Sequence, residues 1–470
     1  MLASLLVALL SPSLDAILDA SELKGALYSA TVTDLDGKVL YQRNTDQRVM
    51  PASNQKLISC SYALHELGSD FVAKTKIWKQ GNRVYVESNG DPSLTYAQLA
   101  DAKKTLKLSG RDTVYLKQAY RGGVPESWEL DDLPNRYAAQ VAAFTFDQAA
   151  FELWAENGKA FLLPSTFGVK VKFDSKLKPG TSQYDPLKRT AWVGANLPKT
   201  RTRLDTLALP DPDGSASSIL GRKLVYTNDV PNRAPDLTIT GQPIGEMLKF
   251  CLVHSDNNMA ENFLLMAASK QGPLGEHPYE LARERVTKFL TDTVGVDKED
   301  IHIYDGSGMS RHNLVTSRAI SKLLLWANRQ PTAPLWKSCL VSPLNGTLKG
   351  RLKDVDFRGK TGTLDMVVSL SGYVKPKDGT EVIMSFLLNH FTCSSVKARD
   401  ILDNFAKTLY ENADGTWDAI GYNHEARSAV PRNLPTDWNW VDRLDRDRRT
   451  SRPGKDRRTE SRDAPLYRAQ

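Results

Sequence analysis

The sequence contains a serine and a lysine spaced to act as a nucleophile and its base. Ser53 and Lys56 are three residues apart at the start of a helical pattern over residues 53–67, so they share one helix face. The backbone N–H of Ser53 at the helix start lacks an intrahelical partner and can help to hold an oxyanion. Lys56 can act as a base near neutral pH if burial or a neighbouring cation lowers its pKa.

The S-x-x-K spacing alone is weak evidence for catalysis. It occurs three more times, starting at Ser21, Ser175 and Ser394, and only Ser53 follows a Pro-Ala turn and precedes a strong helical pattern. A lone copy is more often a helix cap followed by a solvated lysine.

A second motif, Ser255-Asp256-Asn257, occurs once in the chain. It lies between helical patterns at residues 244–253 and 259–269, which predicts a short helix–helix connection. The hydroxyl of Ser255 could relay a proton, and the amide of Asn257 can both donate to and accept from a peptide. Taken alone, the motif is also compatible with an ordinary turn.

A third motif, Lys360-Thr361-Gly362, also occurs once and is followed by Thr363. It is predicted to open a strand. A cation beside a hydroxyl suits a carboxylate, and glycine lets a substrate backbone approach closely.

In this order, the three motifs are the set found in penicillin-binding proteins and β-lactamases. A long segment separates the first two motifs, and stretches at residues 89–94, 128–134 and 304–311 also match. With these features the chain resembles the class C low-molecular-mass penicillin-binding proteins, the D-alanyl-D-alanine carboxypeptidase/endopeptidases. The likeness covers about residues 14–412.

This resemblance implies a serine D-Ala-D-Ala carboxypeptidase, with DD-endopeptidase activity also possible, that acts without metal or cofactor. Ser53 would attack the carbonyl between two terminal D-alanines of a peptidoglycan stem peptide, and Lys56 would accept its proton. Ser255 would pass a proton to the leaving amine. β-Lactam antibiotics would acylate the same serine.

The resemblance also implies substrate contacts. Asn257 would bind the peptide amide. The terminal carboxylate would be held by the third motif, through Lys360 and Thr361 beside Gly362. The backbone N–H of Thr363 would complete the oxyanion hole with that of the serine.

A zwitterionic diaminopimelate-like side chain would be read by two further residues. The resemblance places Asp132 on its ammonium group and Arg311 on its carboxylate. The alternative is an exposed aspartate and an arginine that braces the loop at residues 306–308.

Two other functions remain open at this point. One is a serine β-lactamase or esterase with the same acylation residues, for which no dedicated deacylating glutamate can be assigned. The other is an inactive scaffold that binds the cell wall.

The expected fold class is α+β, with a penicilloyl-serine-transferase (β-lactamase-like) antiparallel sheet, helices and a β-rich insertion. Strand patterns occur at residues 26–34 and 38–42 and again after 358. The predicted catalytic domain is discontinuous, 21–73 and 238–412. Residues 74–237 form the insertion, of one or two modules, and 413–470 form a polar tail, disordered after about 441.

Composition excludes several classes of protein. The hydrophobic share of 41% and charged share of 25% are ordinary for globular proteins. Of the net charge of +7, more than half comes from residues 441–470, so the basic balance does not indicate nucleic-acid binding. No apolar stretch is long enough for a transmembrane helix. The four cysteines lack metal-ligand spacing and are expected to be small core residues, although sequence leaves three full pairings open.

The N-terminus favours export to the periplasm or another extracytoplasmic site. Residues 2–10 are apolar over the length of a signal-peptide core, although no Lys or Arg precedes Lys24. Residues 1–20 are therefore a candidate signal segment. The alternative is a short apolar segment packed on the folded domain.

Overall fold

Strands from the two ends of the chain pair with each other in the folded protein. The structure is a computed structural model that describes residues 14–411, apart from positions 166 and 378. In chain order, the strands of the described residues are β1 (Leu27–Asp34), β2 (Val39–Arg43), β3 (Val72–Gln80), β4 (Arg83–Ser88), β5 (Thr113–Gln118), β6 (Ala150–Glu156), β7 (Lys159–Leu163), β8 (Lys170–Phe173), β9 (Ser182–Asp185), β10 (Thr190–Val193), β11 (Thr202–Ala208), β12 (Lys223–Tyr226), β13 (Leu237–Pro243), β14 (Ile301–His302), β15 (Leu314–Val315), β16 (Phe357–Leu364), β17 (Val367–Val374) and β18 (Val382–Asn389). The helices are α1 (Leu14–Leu18), α2 (Gln55–Leu67), α3 (Tyr96–Thr105), α4 (Pro212–Leu220), α5 (Ile244–His254), α6 (Asn257–Ser269), α7 (Pro278–Lys288), α8 (Ser317–Asn328), α9 (Ala333–Cys339) and α10 (Ser395–Glu411).

A sheet of five antiparallel strands carries the third motif. Its order is β16-β17-β18-β1-β2, so the first strand of the chain pairs with the last. The strands predicted at residues 26–34 and 38–42 are β1 and β2, and Gly37 in the turn between them has a φ of +95°. Glycine adopts this conformation without a steric penalty. The predicted α+β fold with an antiparallel sheet is confirmed.

Helices cover both faces of this sheet. Every residue of β17 and β18 is buried. Along β18, Ile383 and Leu387 enter the core formed with α2, α5, α6 and α8, whereas Met384 and Phe386 enter the core formed with α1 and α10. This two-residue alternation is the geometry of a strand with two apolar faces. It fixes α2, and the motif at its start, against one face of the sheet.

The segment predicted as an insertion contributes strands to three sheets, and β3 and β13 of the largest sheet extend beyond its predicted limits. The orders of these sheets are β12-β5-β4-β3-β13, β11-β6-β7 and β8-β10-β9. Because β4, β5 and β12 are parallel neighbours, the chain needs crossovers, and α3 and α4 lie in the connections. These two helices were not predicted from the sequence, although the capping box of Thr95 and Gln98 marks the start of α3. The limits of the insertion at 74 and 237 stay a prediction.

Part of the candidate signal segment belongs to the folded protein. Residues 1–13 lie outside the described residues, but Leu14, Ile17 and Leu18 in α1 are buried in the core shared with α10. Cleavage after residue 18 would remove these contacts. The predicted tail at 413–470 also lies outside the described residues. Within residues 14–411, none of the helices combines the length and apolarity needed to cross a bilayer.

All four cysteines are free thiols. Cys60, Cys251 and Cys339 are buried, and Cys393 is half-buried against the core. The sulfur atoms of Cys60 and Cys251 lie 3.8 Å apart. The prediction of small core residues holds for the first three, and Cys393 lies at the edge of its cluster.

Candidate active site

Ser53 lies in a 3-10 turn directly before α2. The turn spans Ala52–Asn54, so the α-helix begins two residues after Ser53 rather than at it. Two glycines let other segments approach this turn. A Cβ atom on Gly308 would overlap the carbonyl of Ala52, and one on Gly362 would lie 2.9 Å from the Ser53 nitrogen. The half-buried Ser53 is thus held between β16 and the loop that contains Gly308.

The amine of Lys56 makes three polar contacts in the protein interior. Its Nζ lies 3.0 Å from Ser53 Oγ, 2.6 Å from Asn257 Oδ1 and 2.7 Å from the carbonyl oxygen of Ser307. Burial lowers the pKa of Lys56, although nearby anionic groups oppose the shift. The direction of the shift is the one that a general base requires.

The second motif lies on a helix–helix connection, as predicted. Helix α5 ends at His254, Ser255 adopts a left-handed conformation with a φ of +57°, and α6 begins at Asn257. The hydroxyl of Ser255 accepts a hydrogen bond from Lys360 Nζ at 2.9 Å. The amide nitrogen of Asn257 donates to the carbonyl of Tyr137 at 2.7 Å.

The middle residue of this motif, Asp256, has a structural role. Its carboxylate accepts the backbone N–H of Met259 at 2.9 Å and so caps α6. Its other oxygen pairs with Arg136 at 2.6 Å. This pair fixes the connection to the segment that carries Tyr137.

The third motif lies in the interior of β16, not at its start. The strand begins at Phe357, three residues before Lys360, because the preceding residues also pair with β17. Lys360 is fully buried, and burial together with the positive charge of Lys56 lowers its pKa to about 7. The hydroxyl of Thr361 donates to that of Thr347 at 2.7 Å.

The outer edge of β16 faces the serine. Gly359 exchanges backbone hydrogen bonds with Val341 on this outer side. Because successive residues of a strand direct their backbone polar groups to alternate sides, Thr361 and Thr363 present theirs to the same side. The N–H of Thr363 is therefore directed toward the cleft rather than toward β17.

Buried carboxylates hold the loop that contacts Lys56. Glu261 accepts the backbone N–H groups of Gly306 and Ser307 at 2.9 and 2.8 Å. Burial and the nearby charge of Asp305 raise the pKa of Glu261 to about 8. Asp305 itself accepts hydrogen bonds from Gly308 and from the indole of Trp128. Trp128 and Asp305 lie in two of the stretches that carry the family resemblance, whereas no signal in the sequence indicated the role of Glu261.

One lobe of the cleft, the acidic lobe, has a volume of about 390 Å³ and contains the two predicted specificity residues. Arg311 pairs with Glu129 at 2.9 Å, and Asp132 accepts the hydroxyl of Tyr137 at 2.7 Å. Sequence reasoning missed Glu129 and Tyr137, although Glu129 lies in one of the matching stretches. The lobe is lined by Glu129, Asp132, Tyr137, Met309, Arg311, Leu364 and Asp365, together with Ser53, Ser255, Asn257, Gly308, Thr363 and Ser395.

A second lobe of about 410 Å³, the basic lobe, opens from the same serines. It contains Arg351 and Arg399, which the sequence analysis did not identify. Among the described residues, its lining includes no Asp or Glu. The basic lobe is lined by Thr347, Arg351, Thr361, Gly362 and Arg399, together with the shared residues Ser53, Ser255 and Thr363.

The fold thus brings all ten sequence-predicted site residues to one cleft. Lys56 and Lys360 lie beneath its floor and contact Ser53 and Ser255, respectively. The other eight line one or both lobes. Among the described residues, no cluster of three His, Cys, Asp or Glu side chains is placed to hold a metal ion.

Comparison with known proteins identifies the family. The model of the D-Ala-D-Ala carboxypeptidase 3 (S13) family matches residues 10–409. The chain belongs to this family. The matched range therefore includes all three motifs and the segment predicted as an insertion between the first two.

Individual relatives share about a quarter of their residues with this chain. The chain is 26% identical over 446 residues to a D-alanyl-D-alanine carboxypeptidase from Actinomadura sp. (strain R39), with 81% of each chain covered. It is 24% identical to D-alanyl-D-alanine carboxypeptidase DacB from Haemophilus influenzae, covering 79% of this chain and 88% of that one.

Solved structures show the same fold. Penicillin binding protein 4 from Haemophilus influenzae superposes with a TM-score of 0.69 at 19% identity, covering 84% of this chain and 98% of that chain. A second structure of that protein, complexed with a novel β-lactam, gives a TM-score of 0.62 at 19% identity, with coverages of 82% and 95%.

Proposed function

We propose that this chain, a serine-type D-Ala-D-Ala carboxypeptidase by family, uses the cleft residues above in the roles that follow. Its substrate is the peptide bond between two terminal D-alanines of a peptidoglycan stem peptide. The site lies on the surface of an exported, extracytoplasmic enzyme, where that substrate is found.

The geometry around Lys56 carries this proposal. A neutral amine has two N–H groups and one lone pair. Asn257 Oδ1 and the carbonyl of Ser307 accept the two N–H groups, at 2.6 and 2.7 Å. The remaining lone pair is then left for the third neighbour, the hydroxyl of Ser53 at 3.0 Å. This arrangement suits proton abstraction from the serine.

Acylation follows from this arrangement. Ser53 Oγ bonds to the carbonyl carbon while Lys56 takes its proton, and the backbone N–H groups of Ser53 and Thr363 stabilise the oxyanion. The C–N bond then breaks, and the leaving amine gains a proton through Ser255. Water adds to the ester, releases the shortened peptide and restores the Ser53 hydroxyl.

Binding of the substrate uses the rest of the motifs. Asn257 binds the peptide amide, and Lys360 and Thr361 bind the terminal carboxylate. Lys360 already donates to Ser255 and to the Thr361 carbonyl, so its protonated form has one N–H left for an anion. Gly362 lets β16 lie close to the serine, because a Cβ atom there would come within 2.9 Å of the Ser53 nitrogen.

The acidic lobe takes the side chain on the acyl side of the cleaved bond. Asp132 binds the ammonium group and Arg311 the carboxylate of a diaminopimelate-like residue. Glu129 is paired with Arg311 in this structure, so the substrate carboxylate has to replace Glu129 or share the guanidinium with it. The same machinery would also cut a cross-link between a D-alanine and a second stem peptide, which is endopeptidase activity.

The test is hydrolysis of a bis-D-alanyl stem peptide with a diaminopimelate-like residue, measured as release of free D-alanine. We expect D-alanine release by the wild-type protein, none by Ser53→Ala, and only slow turnover of a chromogenic cephalosporin. Fast cephalosporin turnover with no D-alanine release would instead make it a β-lactamase. No reaction with either compound would contradict the assigned roles and favour a binding scaffold.

A further inference from the structure

The basic lobe holds more positive charge than a single D-alanine requires. The proposed function gives the one carboxylate of a leaving D-alanine to Lys360 and Thr361. Arg351 and Arg399 line the same lobe as Thr361, and no acidic side chain of the described residues lines it. Two guanidinium groups beside a cleft are suited to further carboxylates, which they bind with charge-assisted hydrogen bonds.

Arg351 is held rigidly at the wall of this lobe. Its Nε and Nη2 donate to the two oxygens of the buried Asp403 at 3.0 and 2.7 Å. This bidentate pair with α10 uses one edge of the guanidinium. Its Nη1 has no hydrogen bond to any described residue, so it can still donate into the lobe.

Arg399 differs from Arg351 because its charge is not paired within the structure. It lies one helical turn before Asp403 on α10, and it is half-buried. Among residues 14–411, as described, its side chain has no hydrogen bond or ion pair. A half-buried arginine at the wall of a substrate cleft, without a carboxylate partner, is available for an anionic ligand.

We infer that Arg399, supported by Arg351, binds a second carboxylate on the leaving strand of a cross-linked peptide and so favours cross-linked over linear substrates. This inference rests on the proposed function. When the leaving amine belongs to a diaminopimelate-like residue of a second stem peptide, that strand carries carboxylates beyond the one beside the amine. A leaving D-alanine carries only the carboxylate beside its amine.

The test compares two substrates on one set of variants. The linear substrate is a bis-D-alanyl stem peptide, and the cross-linked substrate is a D-alanyl–diaminopimelyl dimer of the same peptide. For Arg399→Ala we expect kcat/KM for the dimer to fall about tenfold, as expected for loss of a charge-assisted contact, and less than threefold for the linear peptide. Arg399→Lys should recover part of the loss.

A control variant on the same helix separates this effect from a general loss of charge. Lys397 is two residues away and pairs with Glu22 at 3.2 Å, outside the lobe. Lys397→Ala also removes one positive charge, and it should change kcat/KM by the same factor for the dimer and for the linear peptide. Arg399→Gln serves as a second variant if Arg399→Ala lowers the melting temperature.

Three outcomes would overturn the inference. Equal losses for both substrates would place Arg399 on the ordinary terminal carboxylate, and no loss for either would make it a solvated side chain. A wild-type enzyme that cuts the linear peptide but not the dimer would also contradict it. Failure to cut the linear peptide would instead contradict the proposed function itself.

Discussion

The two lobes of the cleft share a floor but differ in charge. Ser53, Ser255 and Thr363 belong to both. The acidic lobe has three carboxylates, those of Glu129, Asp132 and Asp365, against one arginine. The basic lobe has two arginines and several hydroxyl groups, and no acidic side chain in the described residues lines it.

This difference indicates that the floor of the cleft carries out the chemistry and that its walls select the substrate. The residues at the floor carry out the reaction, and hydrogen bonds connect these buried groups because they lie close to one another. The walls distinguish the two sides of the cleaved bond, because a zwitterionic side chain suits the acidic lobe with its single arginine and an anionic leaving group suits the basic lobe. Changes in the floor should therefore affect every substrate, and changes in one wall only some.

The largest effect is expected at the floor. Lys56→Ala should lower acylation by peptide and penicillin alike by about 10²–10⁴, the usual contribution of a general base. Stopped-flow or discontinuous acylation rates measure this loss.

A matched variant tests whether Lys56 acts as a base or only as a cation. Lys56→Arg keeps a positive charge but cannot lose its proton, so it should be almost as slow as Lys56→Ala. Near-normal acylation in either variant would contradict the base assignment. Thermal melting should still show a folded protein, although Asn257 and Ser307 each lose a buried donor, at roughly 1–3 kcal/mol each.

The next effect is expected where the floor meets the basic lobe. Lys360→Ala should lower kcat/KM for a peptide with a free terminal carboxylate by about 10- to 100-fold, through loss of a charged hydrogen bond. For a peptide whose terminal carboxylate is amidated, the same variant should lower kcat/KM much less. Equal losses would mean that Lys360 acts mainly on Ser255 rather than on the carboxylate.

A smaller effect is expected in the acidic lobe. Arg311→Ala should lower kcat/KM about tenfold for a substrate with a zwitterionic diaminopimelate-like side chain. For a substrate with a plain lysine at that position, kcat/KM should hardly change. Arg358→Ala, an exposed arginine of β16 that lines neither lobe, is the control. The Asp132–Arg311 assignment would be wrong if Arg311→Ala penalised both substrates to the same extent.

The smallest effect is a pH dependence of the carboxylate preference. Lys360 has a pKa of about 7, so it is charged below this pH and neutral above it. The ratio of kcat/KM for free-carboxylate and amidated peptides should therefore fall as the pH rises through about 7. Taking the ratio cancels the titration of Lys56, which affects both peptides. A ratio that rises or stays constant would contradict this role.

The sequence predicted the floor of the cleft better than its walls. Each motif depends on local geometry: Gly68 ends α2 as expected, and the second motif lies between two helices. The resemblance also placed Asp132 and Arg311 in one lobe. The fold class followed from the resemblance that the three motifs carry, and the strand patterns at both ends of the chain agree with it.

The remaining features depend on contacts between distant segments. Glu129 meets Arg311 only after the segment predicted as an insertion folds against the catalytic residues, and Arg399 reaches the lobe because α10 packs on the central sheet. Neither residue belongs to a short motif. Helices α3 and α4 were missed because short strand patterns dominate that segment, and their role as crossovers follows from the parallel pairing, which sequence does not show.

The most direct test of the account is the site of a penicillin adduct. A β-lactam ring resembles the D-alanyl-D-alanine bond, but after opening its leaving group stays attached and blocks the deacylating water. Intact-protein mass spectrometry should show one added penicillin that persists for minutes or longer and maps to the peptide containing Ser53. Ser53→Ala should abolish it, whereas Ser175→Ala, at an exposed S-x-x-K copy, should not. An adduct that survives Ser53→Ala, or rapid penicillin turnover without an adduct, would contradict the account.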